Sequence, residues 1–242
     1  MVEIQTFAFA DEWARFAAAR LSDALNTGLR DPARNGWATF AGSGGSTPEP
    51  IYRRLATMRS VEEWQHTFVT LVDERYVPET SPDSNAALLK RTLLTGPAAA
   101  AVFLPLYRPA VTVDRAAALA AHELNVEFDG ARLDAVLLGM GEDGHICSMF
   151  PNSPTLKTLL SPTLPPTVLG VPPGRDGAAP SLERLSINLP YLIGARRVVL
   201  AITGAAKRAV FEREAAGDPS THPIAALIAH KVPLEVVWTE AA

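Results

Sequence analysis

The chain has 242 residues, of which 48% are hydrophobic and 20% charged, with a formal net charge of -4 and a single cysteine. That length is enough to bury one sizeable core, so residues 1–242 are expected to form a single domain, and the interspersed acids and bases leave no basic footprint for nucleic acid or an anionic membrane. With Cys147 alone, an internal disulfide and a cysteine-rich zinc cage are excluded, which fits a reducing compartment such as the cytoplasm.

The N-terminal Met1-Val2-Glu3-Ile4 lacks a basic region followed by an apolar run, and Asp11 and Glu12 arrive early, so no signal peptide is expected. From Asp11 to about Leu29, Trp13, Phe16, Ala17, Leu21, Ala24, Leu25 and Leu29 recur at helical spacing, which predicts an amphipathic packing helix. Trp37 to Ala41 reads as a strand, followed at once by a glycine-rich loop and a helix through about Met58. A second strand, Thr67 to Val72, runs into Asp73-Glu74-Arg75-Tyr76-Val77-Pro78, and a helix from Ser84 or Asn85 continues to Leu94. Val102 to Tyr107 is a candidate third strand, and Asp114 is placed to cap an alanine-rich helix reaching about Val126. Ala135 to Leu138 is a short apolar run, too compact for a helix and suited to a strand buried on both faces.

Eight prolines lie between Pro151 and Pro180. Within that stretch the uncharged run Thr158 to Gly174 is broken by Pro162, Pro165, Pro166, Pro172 and Pro173, so it is a loop rather than a membrane span. It reads as a covering connection, either a lid or an inert excursion, with one short helix after Ser153-Pro154 reaching Leu160. Regular pattern returns with strands at Arg184 to Leu189 and Arg197 to Ile202, a helix from there to about Ala216, a short helix from Pro223 to His230, and a last strand at Leu234 to Thr239.

Strands alternating with helices imply an α/β fold: a mainly parallel, doubly wound sheet with helices on both faces, because parallel neighbours need crossovers. Four polar segments, Gly42 to Thr47, Asp73 to Val77, Gly139 to His145 and Thr203 to Lys207, all but the second glycine-bearing, each follow a strand directly. All four are therefore expected at one edge of the sheet, where open parallel sheets bind ligands.

Chemistry concentrates in these segments. In Gly139-Met140-Gly141-Glu142-Asp143-Gly144-His145, a histidine two residues from an aspartate can serve as a general base whose tautomer the carboxylate fixes; the bland alternative is a strand-to-helix turn with a solvated acid and a capping histidine. Ser43, Gly44, Gly45, Ser46 and Thr47 offer free backbone N–H groups at a helix start, a phosphate cradle or simply a tight turn, with Ser46 or Thr47 as cap and Pro48 in the first helical position. It is neither a Walker loop nor a dinucleotide fingerprint. Arg75 and Lys207 are cations able to neutralise a phosphate, or ordinary surface charges. Asp73 can hold a sugar hydroxyl, orient Arg75 or serve as a turn residue.

Together, Ser43-Gly44-Gly45-Ser46-Thr47-Pro48, Asp73-Glu74-Arg75 with Ser84-Asn85, the stretch Gly139 to His145 with Ser148 and Phe150-Pro151, and Thr203-Gly204 with Lys207 resemble, in order and spacing, the motif set of 6-phosphogluconolactonases. Arg184-Leu185-Ser186-Ile187-Asn188-Leu189-Pro190 resembles a further family segment. The resemblance implies a modified Rossmann-like sheet shared with glucosamine-6-phosphate deaminases and ribose-5-phosphate isomerases. It implies hydrolysis of 6-phospho-D-glucono-1,5-lactone to 6-phosphogluconate in the oxidative pentose phosphate pathway without a required cofactor or metal. By position, His145 becomes the general base and Asp143 its orienting partner. Ser43, Gly44, Gly45, Ser46, Thr47, Arg75 and Lys207 become phosphate or substrate contacts, with Asp73, Asn85 and Arg184 as neighbours. Backbone N–H groups of the glycine turn are candidates for the oxyanion site. The expected partner is a small phosphosugar lactone, with no nucleic acid or membrane, and the expected state is a monomer or weak homodimer.

Two positions depart from the family pattern: Glu142 stands where proline is common and is expected to face water, and Cys147 takes a small-residue position as a buried thiol. A sugar-phosphate deaminase on the same scaffold is disfavoured because Met149-Phe150-Pro151 lacks the acid of the Asn-Glu-Pro segment, and Arg75 replaces the usual tyrosine. A non-catalytic sugar-phosphate sensor has no need of both Asp143 and His145. A metal site at Glu142, Asp143 and His145 lacks a second ligand cluster, and His66, His122, His222 and His230 read as surface or packing residues.

Overall fold

The computed structural model describes residues 2–130, 132–175 and 178–240. In chain order they form β1 (Ile4–Phe7), α1 (Ala10–Arg30), β2 (Ala38–Gly42), α2 (Glu49–Met58), α3 (Val61–Gln65), β3 (Thr67–Leu71), β4 (Asp73–Arg75), α4 (Asn85–Thr92), β5 (Val102–Phe103) and α5 (Val113–Phe128). These are followed by β6 (Ala135–Leu138), α6 (Leu156–Leu159), β7 (Val168–Val171), β8 (Arg184–Ile187), α7 (Leu189–Ile193), β9 (Arg197–Thr203), α8 (Gly204–Ala215), α9 (Pro223–Ala229) and β10 (Leu234–Thr239).

Seven strands pair in the order β1-β10-β9-β6-β2-β3-β5, every pair parallel. Every residue of β2, β3 and β6 is buried, and β6 reads as an unbroken apolar run, because a parallel strand covered by layers on both faces has no solvent side; the threonines of β2 and β3 are the only polar residues these three strands carry. The long helix α1 packs on this sheet through Trp13, Ala17, Leu21 and Leu25, all buried, and the Trp13 indole N–H donates to the Val237 carbonyl at 3.2 Å, so its polar edge is satisfied inside the core. The expected mainly parallel sheet with helices around it is the observed architecture.

A second, antiparallel sheet of three strands, β4-β8-β7, continues from the end of β3. It corrects two expectations. Asp73 to Val77 is not merely a turn, since its first three residues are β4, and the proline-rich connection is not without regular structure, since Val168–Val171 forms β7 between its proline pairs. Four uncharged residues bounded by Pro165-Pro166 and Pro172-Pro173 carry too little pattern to stand out.

Other differences have local causes. The third strand stops at Phe103, one hydrogen bond after which Pro105 has no N–H to continue the ladder. Thr112, not Asp114, caps α5: its side chain accepts from the Arg115 N–H, and Asp114 sits in the first turn, where its charge suits the helix dipole. β8 ends at Ile187 because Leu189-Pro190 opens α7. α3 begins with a capping box in which Ser60 and Glu63 satisfy each other's N–H groups, a Ser-x-x-Glu signature that the sequence displays.

Candidate active site

At the carboxyl ends of β2 and β6, which are neighbours in register at Gly42 and Leu137, the chain departs in opposite directions, towards β3 from one strand and towards β9 from the other. The crevice between such diverging connections is the topological switch point of a doubly wound sheet. A cavity of about 240 Å³ opens there, and all four polar segments that follow strands reach it.

One wall is the loop after β2. Ser43 is tied down by its N–H to the Leu137 carbonyl at 3.0 Å and by the Tyr52 hydroxyl on its own carbonyl at 2.6 Å. Gly44 lies flush against Asn85: a Cβ on Gly44 would stand 1.9 Å from the Asn85 amide oxygen. Asn85 is buried and donates to the Asp73 carbonyl at 2.9 Å, so it is not free to retreat. Gly44→Ala is therefore expected to cost about 1–3 kcal/mol of stability by overpacking, measurable as a lowered urea midpoint. Neither Ser46 nor Thr47 caps α2. Pro48 takes the cap position in helical conformation and no side-chain cap forms, so both hydroxyls are left facing the cavity with the loop's N–H groups. Among the described residues, the N–H groups of Gly44, Gly45, Ser46 and Thr47 have no hydrogen-bond partner, which makes this helix start an anion cradle.

Three cations converge on the same cavity. Arg75 of β4 and Arg184 of β8 are directly opposite in antiparallel register, which brings two positive side chains together from positions 109 apart in the chain (184 − 75 = 109). Arg184 is only 3.9 Å from the Asp73 carboxylate; burial lowers its pKa below the ordinary arginine value, Asp73 opposes that, and Arg75 adds to it. Arg75 reaches the Asp83 carbonyl at 2.5 Å, and among the described residues Asp73 forms its long ion pair with Arg184 and none with Arg75, so the orienting of Arg75 considered above is not seen. Lys207, in the first turn of α8, lines the cavity and forms no ion pair among the described residues. Ser43 Oγ, Arg75 Nε and Arg184 Nε are buried without hydrogen-bond partners. Unspent donors concentrated in this way suit an anionic, oxygen-rich ligand.

The opposite wall is the turn after β6. Gly141 donates to the His145 carbonyl at 2.9 Å and Gly144 to the Gly141 carbonyl at 3.1 Å, closing a tight loop. Those two N–H groups are thus spent within the turn and cannot serve as oxyanion donors. Gly144 has φ +89°, and a Cβ on it would collide with the buried Glu214 carboxylate of α8. Within the turn, the His145 Nδ1 lies 2.5 Å from Asp143 Oδ1. Burial pushes the Asp143 carboxyl up, but the hydrogen bond and charge of His145 outweigh it, and its pKa lies below the ordinary carboxylate value. His145 lines the cavity, whereas Asp143 holds it from behind and faces two neighbouring surface cavities instead. A carboxylate on Nδ1 keeps that nitrogen protonated and leaves Nε2 basic.

Glu142 is exposed, and Cys147 is buried, with burial pushing its thiol pKa well up, an environment that disfavours the thiolate. Among the described residues, no group of three or more His, Cys, Asp or Glu side chains is arranged to hold a metal ion, and no helix is long and apolar enough to cross a membrane.

Two residues belong to the motifs quoted from the sequence, but their roles were not legible there. Glu74, fully buried, accepts from the N–H groups of Arg75, Asn85 and Ala86, each at 2.8 Å, and from Ser84 Oγ at 3.2 Å, anchoring the start of α4 and with it Asn85. Ser148 Oγ donates to Asp73 at 2.7 Å and so ties the segment downstream of the His145 turn to β4. A carboxylate in an Asp-Glu-Arg run reads as surface charge until its partners are placed around it.

Residues 8–238 match the family model described as glucosamine-6-phosphate isomerases/6-phosphogluconolactonase. A 6-phosphogluconolactonase from Caulobacter vibrioides is 38% identical over 240 residues, spanning 99% of this chain and 98% of its own. One from Rhizobium meliloti is 39% identical over 233 residues, spanning 96% and 94%. The crystal structure of a 6-phosphogluconolactonase from Shewanella baltica superimposes with a TM-score of 0.87 at 28% identity, covering 99% of this chain and 98% of that one.

Proposed function

Because the chain belongs to the glucosamine-6-phosphate isomerase/6-phosphogluconolactonase family, we propose that its switch-point cavity receives 6-phospho-D-glucono-1,5-lactone and that His145 activates the water that opens the ring. The protein is a carboxylic ester hydrolase that converts this lactone to 6-phospho-D-gluconate in the oxidative pentose phosphate pathway. The observation that carries the mechanism is the arrangement of one cavity, with an imidazole backed by a carboxylate on one wall and a cluster of unspent cationic and N–H donors on the other.

The 6-phosphate sits in the cradle formed by the loop from Ser43 to Thr47 and is neutralised by Arg75 and Lys207, with Arg184, near Asp73, beside it; Asn85 shapes the floor. His145 Nε2 takes a proton from water as the oxygen attacks the C1 carbonyl, while Asp143 stabilises the imidazolium that forms. When the tetrahedral intermediate collapses, the C1–O5 bond breaks and the imidazolium returns the proton to O5. The new carboxylic acid then loses its proton to solvent, so atoms and charge balance as lactone plus water gives carboxylate, hydroxyl and one released proton. We further propose a monomer or weak homodimer working in the cytoplasm, a compartment supported by the single thiol, Cys147, being unpaired and buried.

The test is turnover above spontaneous opening of freshly generated 6-phospho-D-glucono-1,5-lactone, with unphosphorylated glucono-1,5-lactone and glucosamine 6-phosphate as comparisons. Lys207→Ala should raise KM for the phosphorylated lactone roughly 10- to 100-fold, the worth of one charge-assisted hydrogen bond, and leave the unphosphorylated lactone nearly unaffected. Equal losses on both lactones would remove Lys207 from the phosphate site, and deamination of glucosamine 6-phosphate at a comparable rate would overturn the choice of reaction.

A further inference from the structure

The tether between His145 and Asp143 is a single side-chain hydrogen bond, and the imidazole is about a quarter exposed, so one contact has to fix the direction of Nε2 while leaving the ring plane free to swing. Two other contacts remove that freedom. Gly141 brings bare backbone against the ring, where a Cβ would stand 2.3 Å from both Nδ1 and Cε1. The second contact is Phe150, five residues downstream and buried, whose ring centroid is 4.2 Å from that of His145 at an interplanar angle of 32°. The same aromatic ring carries the Arg184 guanidinium, 5.6 Å from its centroid.

We propose that Phe150 is a positioning residue for the hydrolysis: its ring is the plate against which the general base is held, and it links that base to the arginine on the phosphate side. This inference rests on His145 being the base. Asp143 sets which nitrogen is basic; Phe150 and Gly141 set where it points. Phe150 does not itself line the cavity but touches His145 and Arg184, which do, so a shift of its ring is passed on through the imidazole, where misplacement by about 1 Å costs on the order of 10²-fold in rate.

The experiment compares kcat and KM for 6-phospho-D-glucono-1,5-lactone in Phe150→Leu, Phe150→Tyr and His145→Ala, with the dissociation constant for 6-phospho-D-gluconate measured by calorimetry on each as a check that the cavity is intact. Phe150→Leu keeps apolar volume but removes the ring; it is expected to lower kcat about tenfold or more while KM and product affinity stay within about twofold to threefold. Phe150→Tyr keeps the plate and is expected to recover most of the rate. Parent kcat in Phe150→Leu with His145→Ala inactive would overturn the role of Phe150 alone. Equal losses in the leucine and tyrosine variants, or product binding lost in step with kcat, would reduce Phe150 to packing. Parent turnover in His145→Ala would remove the base itself, and the plate with it.

Discussion

Replacing His145 by alanine is expected to lower kcat for 6-phospho-D-glucono-1,5-lactone by on the order of 10²- to 10⁴-fold, the usual contribution of a positioned general base, while the affinity for 6-phospho-D-gluconate changes little. The separation follows from the layout. The phosphate cradle and the cations lie on β2, β4, β8 and α8, and the base lies on the turn after β6, so loss of the imidazole leaves the anchoring groups in place. Asp143→Asn should follow closely, because an amide in that place no longer selects the Nδ1–H tautomer. Since His145 holds the Asp143 pKa below the ordinary carboxylate value, the tether stays ionised as pH falls through the usual carboxylate range and is lost only below it. Rates measured against the spontaneous opening of the lactone decide the matter; a variant lacking the imidazole yet turning over at the parent rate would show that another group activates the water.

The largest effect on stability is expected at the other edge of the sheet. Asp134, with no exposed surface, precedes β6 and accepts from Arg34 at 2.7 Å, from the Thr39 N–H at 2.9 Å and from Arg196 at 3.1 Å. Arg34, itself buried, also donates to the Arg132 carbonyl at 2.7 Å. This cluster joins the approaches to β2, β6 and β9 and receives the end of α1, where Gly28 passes so close that a Cβ would stand 2.5 Å from the Asp134 carboxyl. A buried ion pair is not in itself a strong stabiliser, but removing one partner strands the other. Asp134→Ala is expected to cost about 3–5 kcal/mol, a large fraction of the roughly 5–15 kcal/mol by which domains are stable, and to lower Tm by roughly 10 °C for a chain of this size. Thermal unfolding of Asp134→Ala beside the double variant Arg34→Met/Asp134→Leu checks the cause: the double variant should recover part of the loss, and equal losses would show that the charge left behind is not what matters.

Much of this architecture was written in the chain as pattern. The strand buried on both faces appears as the compact apolar run Ala135 to Leu138, whose bounds coincide with β6, and the last strand, read at Leu234 to Thr239, coincides with β10. Helix α1 follows from seven apolar residues at helical spacing. What stayed hidden was of two kinds. Short elements such as β1 and β7 hold four residues each, too few here for a period to stand out, and they form because a neighbouring strand offers a ladder. Pairings between distant residues were hidden for a different reason: the register of β4 on β8 sets Arg75 beside Arg184, and nothing within either segment specifies that register.

By itself, then, the sequence determined the α/β alternation, the membership of the family and the four polar segments that follow strands, because these depend on local periodicity and on residue types at short spacing. Only the tertiary structure decided that Asp73 lies near Arg184, that Glu74 anchors α4, that Asp134 collects Arg34 and Arg196, and that Phe150 lies against His145. Each of those is a contact between groups whose separation in space is set by strand order and helix packing, and a side chain's partners come into existence only when the sheet has assembled around it.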